Sequence, residues 1–497
     1  MTKAIRQISR LLSHRTVLIL IALGGYVLST FVIAQGPLLP PGAPAPTMKT
    51  LEQVEPRTPI ESLPFTISQS GSYFVTDDLT GSNGVAGITI TASDVTLDLS
   101  GFTLFGVAGS LDGIDMTAAM TNNLIRNGTL RGWGQSGIRG LASMRSCTFE
   151  GLRLIENDDD GIVAGSYCVI RRCMAIGNGL DGFRTDAKAQ VEYSTASGNG
   201  ADGFDLGNEA LVTYSSSSDN ADFGIRTGFE SSVIGAVAND NEDDGIRVSG
   251  QSIVSHCQAS GNTTNGFTTG FGSTVLNSHA ANNNRGYFMG GSSLISYSKA
   301  SGNQNDGIVG TKDCMVYKCV AVQNVGDGVL VGAKSSVVNT TSANNQEDGI
   351  SFLSDGRIDR CIVSGNSESG IELNDNGVVL DSSISQNVDG ITATRSDCFI
   401  RGNYLSQNTG AAIDLRFGTG DHRIEGNSMH DNNTGLNIAS GGSIVFKNTA
   451  EGNTVNYSIA NANKVGSTLI PPNSGPINGS TGGAGLGTND PWANFSY

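Results

Sequence analysis

A glycine returns at a regular interval of about 21 residues through the middle of this chain, a period that marks stacked structural units. It falls at Gly161, Gly182, Gly203, Gly224, Gly245, Gly266, Gly286, Gly307, Gly328, Gly349 and Gly370; nine of the ten steps equal 21 and one equals 20. A large apolar residue follows each one, from Ile162 and Phe183 through Tyr287 to Ile371. Units repeated in this way bury their apolar faces on one another. The spacing predicts a solenoid.

More columns emerge when the chain is wrapped at that period. Nine residues after the glycine come β-branched side chains such as Ile170, Val191, Val212, Val233 and Val254, which suit a pleated, half-buried surface. Fourteen residues after it the column is small, as in Ala175, Ala196, Ser217 and Ala238. Twelve after it stand Cys173, Ser194, Ser215, Ala236, Cys257, Ser278, Ser298, Cys319, Thr340, Cys361 and Ser382. Short alternations broken by turns predict two or three brief strands per coil, stacked at about 4.8 Å. Four residues before each glycine is an asparagine: Asn157, Asn178, Asn199, Asn220, Asn241, Asn262, Asn282, Asn303, Asn324, Asn345 and Asn366. Asparagine accepts a sharp corner, and its amide both donates and accepts, so a stacked column can satisfy buried polar groups.

This code resembles the right-handed parallel β-helix of the pectate-lyase superfamily, whose members carry an asparagine ladder at one turn. The resemblance spans approximately Ile67 to Ile444. Its opening runs Ile67-Ser-Gln-Ser-Gly-Ser-Tyr73, then Gly87-Ile-Thr-Ile and Val95-Thr-Leu-Asp-Leu-Ser-Gly-Phe-Thr-Leu104, and is similar to that of secreted bacterial β-helix proteins. The resemblance implies an all-β, right-handed parallel β-helix solenoid of about 21 residues per coil, with N- and C-terminal caps. Broader relatives include polysaccharide lyases, uronate epimerases, glycoside hydrolases and periplasmic copper-pathway proteins. One such fold hosts many functions.

The ends read differently. Lys3, Arg6, Arg10 and Arg15 precede an apolar run, Val17 to Ala34, as in a signal peptide cut before Gln35; an uncleaved anchor is the rival. Cleavage would remove four basic residues and no acid, taking the net charge from −16 to −20. The expected layout is a signal peptide (1–34), a proline-rich linker and N-terminal cap (35–64), the helix (65–450) and a C-terminal cap and tail (451–497). The tail holds a Gly/Ser/Asn-rich part, Asn473 to Asn489, and ends in Trp492-Ala-Asn-Phe495. Localisation is expected to be periplasmic, cell-surface or extracellular, with no stable membrane span after cleavage. The acidic balance argues against nucleic acid, which needs a basic footprint.

Eight cysteines in an exported chain raise disulfides. Register keeps Cys173, Cys257, Cys319 and Cys361 off adjacent coils, which marks them as small buried fillers. Cys147 and Cys168 fall on adjacent coils and could pair; Cys168 with Cys173, and Cys314 with Cys319, share a coil. Aspartates precede many of the glycines, and the densest acidic turns contain Asp158, Asp160, Asp240, Asp243 and Asp244. One reading is Ca²⁺ held between stacked carboxylates; the other is Asp-Gly turn chemistry on a solvated edge. No cofactor beyond that Ca²⁺ is implied.

One face departs from the acidic norm, carrying Arg171, Arg172, Tyr193, Tyr214, His256, His279, Tyr297, Lys299, Tyr317, Lys318 and Arg360. Tyr193, Tyr214, Tyr297 and Tyr317 could stack on sugar rings, while Lys318 and Arg360 neutralise uronate carboxylates. His256, His279 and Lys299 are the candidates for moving a proton in β-elimination. The polygalacturonase set of paired aspartates, Gly-His-Gly and Arg-Ile-Lys is absent, as is the Asp-Pro-His motif of alginate epimerases. No nucleophile elbow, phosphate loop or metalloprotease motif is present. The expectation is an exported polysaccharide-binding protein with lyase-like cleavage as its candidate chemistry. The alternative is a non-catalytic envelope or adhesive rod.

Overall fold

The computed structural model describes residues 57–469, apart from 117, 118, 417 and 419, and residues 491–497. The expected leader, the cut before Gln35, the linker up to residue 56 and the stretch Asn473 to Asn489 lie outside the described residues.

Each regular coil contains three short strands, as in Ile162–Ala164, Val169–Arg171 and Met174–Ile176. Equivalent strands stack in parallel, Ile162 opposite Phe183 and Phe183 opposite Phe204. This makes a parallel β-helix with three strand stacks and three corners. The first stack, which follows the glycine column, holds 19 strands from Phe65–Ile67 to Val455–Ile459. At the parallel strand spacing it extends about 90 Å. Its strands alternate in–out–in, whereas strands of the other two stacks point only their middle residue inward. That is why the β-branched column, Ile170 to Val379, and the small column, Ala175 to Ala321, are buried.

Aromatic rings continue the same logic, with Phe183 on Phe204 at 5.1 Å and Phe267 on Tyr287 at 4.8 Å. Such offset stacks add about 0.5–1.5 kcal/mol beyond area burial. The repeating glycine is set by close approach. A Cβ on Gly182 would stand 2.6 Å from the carbonyl oxygen of Gly203 and 2.9 Å from Asn199 Nδ2.

The asparagine ladder is continuous from Asn157 to Asn453. Each Nδ2 donates to the next Oδ1, at 2.9 Å for Asn178 to Asn199 and 2.8 Å for Asn303 to Asn324. One expected rung is wrong. Asn283, fully buried, accepts from Asn262 Nδ2 at 2.9 Å, while Asn282 is an exposed corner residue with φ 56°. The single shortened interval therefore loses its residue between Asn283 and Gly286. Further along the axis an alanine takes the glycine station: the carbonyl oxygen of Ala412 stands 2.3 Å from a Cβ built on Gly390. At the far end Asn494 enters a second ladder, its Oδ1 accepting from Asn448 Nδ2 at 3.3 Å, and strand Asn494–Ser496 pairs with Thr449–Glu451.

All eight cysteines are free and buried. Cys168 and Cys173 occupy opposite ends of the strand Val169–Arg171, about 15 Å apart along the chain direction, so the within-coil pairing fails for them. The same holds for Cys314 and Cys319 around Met315–Tyr317. Cys147 and Cys168 neighbour each other on adjacent coils as free thiols, whose Sγ–H groups donate to the carbonyls of Arg145 and Ser166 at 3.5 and 3.7 Å. Most of these cysteines sit in corner ladders beside serines, as where Cys173 N–H donates to Ser194 Oγ at 3.2 Å. Burial pushes the Cys173 thiol up to about 12 and that of Cys257 to about 11, so both stay protonated.

Candidate functional site

Every corner of the helix turns through a residue in the left-handed region, which bulky L-residues enter at a cost. The corner between the second and third stacks is the distinctive one. Reading along the axis, it carries Arg172, Tyr193, Tyr214, Gly235, His256, Asn277, Tyr297, Lys318, Asn339 and Arg360, all with φ between 47° and 65°. Glycine and asparagine suit that backbone; tyrosine, histidine, lysine and arginine do not gain from it. Ten successive positions hold no acid, in a chain of net charge −16. By comparison, the corner between the first and second stacks mixes Lys188, Glu209, Glu230 and Asp313, and the remaining corner is Gly, Asp, Asn and Gln with Glu156.

The sequence-derived candidates thus converge on one edge, in two groups. Tyr193 and Tyr214, each 59 % exposed, stack at 5.5 Å with rings 13° from parallel. Further along the edge, Lys318 Nζ donates to Tyr297 Oη at 3.2 Å and lies 5.2 Å over the rings of both Tyr297 and Tyr317. His256 stands between the groups with its Nδ1 2.6 Å from Ser255 Oγ. His279 and Lys299 start neighbouring strands of the third stack and are opposite one another in register. Burial first, then the Lys299 charge, lowers the His279 pKa and keeps its ring neutral; its Nε2 is 3.0 Å from Ser301 Oγ. The flanks are less open than the sequence suggests. Arg171 and Arg172 both reach Glu150, at 2.9 and 3.6 Å, and Arg360 reaches Asp359 at 3.4 Å.

The acidic column departs from the turn chemistry expected of an exposed edge. It is buried, so the solvated edge does not hold for its pre-glycine members. Asp160 Oδ1 accepts the Asp181 N–H at 3.1 Å, Asp181 Oδ1 the Asp202 N–H at 3.0 Å, and Asp244 Oδ1 the Asn265 N–H at 3.0 Å. These carboxylates form a backbone-binding ladder, with arginines on the other oxygen in places, such as Arg226 on Asp202 at 2.8 Å. Asp160 and Asp244 are thereby committed to protein partners, and Asp158, Asp240 and Asp243 stand outside the ladder. Among the described residues no group of three or more His, Cys, Asp or Glu is arranged to hold a metal ion.

One cluster escaped the sequence reading. Asp327 and Asp348 are successive rungs of the acidic ladder, Asp327 Oδ1 accepting the Asp348 N–H at 2.9 Å, and the carboxylate of Glu372 lies beside that of Asp348. Desolvation, then the neighbouring carboxylates, raise Asp348 to about 8; desolvation raises Asp327 to about 7 against its backbone hydrogen bond. Glu372 follows Asp348 by one coil and three further positions, a spacing with no local motif.

The geometry defines a parallel β-helix with an aromatic and cationic edge. The model of the right handed beta helix region matches residues 66–223 and 332–473. These ranges cover more than half of the chain, which belongs to that family. No curated protein matches the chain in sequence. Among solved structures, the A-module of a mannuronan C-5 epimerase from Azotobacter vinelandii is 13% identical, with 75% of this chain and 90% of that one covered, at a TM-score of 0.29. A PL6-family alginate lyase is 7% identical over 82% of this chain and 96% of its own, at 0.30. The catalytic domain of a GH87 alpha-1,3-glucanase in complex with tetrasaccharides is 15% identical over 79% and 64%, at 0.27.

Proposed function

We propose that this is an exported polysaccharide-binding rod that receives an acidic polymer along the corner from Tyr193 to Arg360. One observation supports the reading above the others: a strained corner in an acidic protein excludes acid for ten coils and fills with tyrosine and cations. The row runs parallel to the axis, so successive sugars of an extended chain meet successive coils. Exposed tyrosine faces offer apolar stacking surfaces, and Lys318 supplies a charge for a carboxylate.

Elimination at the same edge is a second reading, favoured by the neutral His279 beside the Lys299 cation. In that step Lys299 pairs with the uronate carboxylate and His279 takes the C5 proton. The carbanion pair forms the C4–C5 double bond as the C4–O bond breaks, and water protonates the leaving oxygen. A rise in absorbance at about 235 nm that His279→Ala abolishes would support this reading; its absence would leave a binding protein.

Binding itself is tested by electrophoresis through gels containing polygalacturonate. The mature protein is expected to be retarded, less so as salt rises. The double variant Tyr193→Ala, Tyr214→Ala is expected to weaken retention about tenfold, the loss of two ring contacts. Unaltered mobility of the unmodified protein, or equal retention of the variant, would overturn the proposal.

A further inference from the structure

Beyond Arg360 the same corner continues through Asp381, Gly402 and Gly426 to Lys447, again with positive φ. There Trp492 borders an open depression of about 440 Å³, lined by Arg423, Ile444, Phe446, Lys464, Val465 and Trp492 among others. Ligand pockets of this size, with a largely apolar lining and a few convergent polar groups, suit a single small ring. Trp492 is half-exposed and packs edge-on against Phe446 at 5.2 Å. Lys447 Nζ lies 4.6 Å from the centre of the Trp492 ring.

The charges around the depression are unbalanced. Arg423 is fixed by Glu425, through Nη2 at 2.8 Å and Nε at 3.2 Å, and stacks near Phe446 at 5.2 Å. Lys447 reaches that same carboxylate only at 4.0 Å. Lys464 has no ion-pair partner among the described residues. Three cations thus face one acid, beside the half-exposed ring of Trp492. An aromatic face with surplus positive charge recognises a ring that has an apolar side and carries an anion.

We infer that this depression is a terminal subsite for one uronate residue of an acidic saccharide. The inference deepens the polysaccharide reading and rests on it for the ligand class. The carboxylate is met by Lys464 and Lys447, and the sugar ring lies against Trp492. A polymer on the edge would reach it about 20 Å beyond Arg360, four coil spacings along the axis.

The chain has two tryptophans, and Trp133 is fully buried. Acrylamide quenching of the full-length protein therefore reports mainly on Trp492. Trigalacturonate is expected to shield it saturably, and maltotriose, a neutral trisaccharide, to leave quenching unchanged. Lys464→Glu is expected to raise the half-saturating concentration by about tenfold or more, through reversed charge. Lys464 is exposed at a strand end, so this variant leaves the core intact, and Trp492→Leu should remove the signal. Quenching that trigalacturonate does not alter, or that maltotriose alters equally, would overturn the subsite. The Tyr193→Ala, Tyr214→Ala variant separates the two claims. It should leave the Trp492 response intact while losing polymer retention. Shielding without retention of any polymer would refute the edge alone, and retention without shielding would refute the subsite alone.

Discussion

Asn283→Leu is expected to destabilise the solenoid by about 3 kcal/mol or more, since each buried donor left unpaired costs roughly 1–3 kcal/mol. Asn283 Oδ1 accepts from both the backbone N–H and Nδ2 of Asn262, at 3.0 and 2.9 Å. Its own Nδ2 donates to the Ala259 carbonyl at 3.1 Å and to Asn303 Oδ1 at 3.3 Å. Leucine matches the volume and supplies none of these bonds. Because each coil contacts only its neighbours, the damage should concentrate near residues 262–303 instead of spreading along the rod. Asn282→Gly, one residue earlier, keeps an exposed corner with φ 56° and is expected to change stability by less than about 0.5 kcal/mol. Urea denaturation of the two variants checks the contrast. A larger loss at Asn282 than at Asn283 would place the rung where the glycine-anchored count puts it.

Stability is expected to fall as pH rises from about 4 to about 8, the reverse of ordinary acid denaturation. Burial raises Asp112 and Asp181 to about 6, Asp202 and Asp327 to about 7, and Asp348 to about 8, from an ordinary value of 3.8. The folded chain then binds protons that the unfolded chain has already released. Their stabilising effect is complete below the unfolded value and is lost as pH passes each folded value. A shift of one unit corresponds to about 1.4 kcal/mol, so this small set governs much of the margin of a natural protein. Asp348→Asn keeps the Oδ1 acceptor for the Ser369 N–H and replaces repulsion of Glu372 with a donor. It is expected to stabilise the protein at pH 8 by about 2 kcal/mol or more and to flatten the slope. Melting temperatures across pH 5 to 9 measure this; an unchanged slope would mean that these carboxylates are ionised in the fold.

Periodicity made the coil legible because a parallel stack repeats its constraints. The β-branched column, the small column and most ladder asparagines had to recur at fixed offsets. Counting from the glycine failed only where Asn282, Asn283 and Asn284 run together and hide a one-residue loss. The aspartates were misplaced for a different reason. Asp-Gly reads as an exposed turn, but the N–H groups that bury it belong to the next coil. The Asp348–Glu372 contact was invisible because its residues come from different columns. By contrast, the tyrosine and cation edge was legible, since register alone aligns Tyr193, Tyr214, His256, Tyr297 and Lys318. Its backbone strain and the pairing of Arg360 with Asp359 required the structure.

The most direct measurement is hydroxyl-radical footprinting of the protein with and without polygalacturonate, read out by mass spectrometry. Oxidation of Tyr193, Tyr214, Tyr297 and Tyr317 is expected to drop when polymer is bound. Phe229 and Phe271, 57 % and 61 % exposed at the corner between the first and second stacks, should react as before. Protection at those two phenylalanines, or tyrosines that oxidise equally in both conditions, would contradict a polymer-binding edge at this corner.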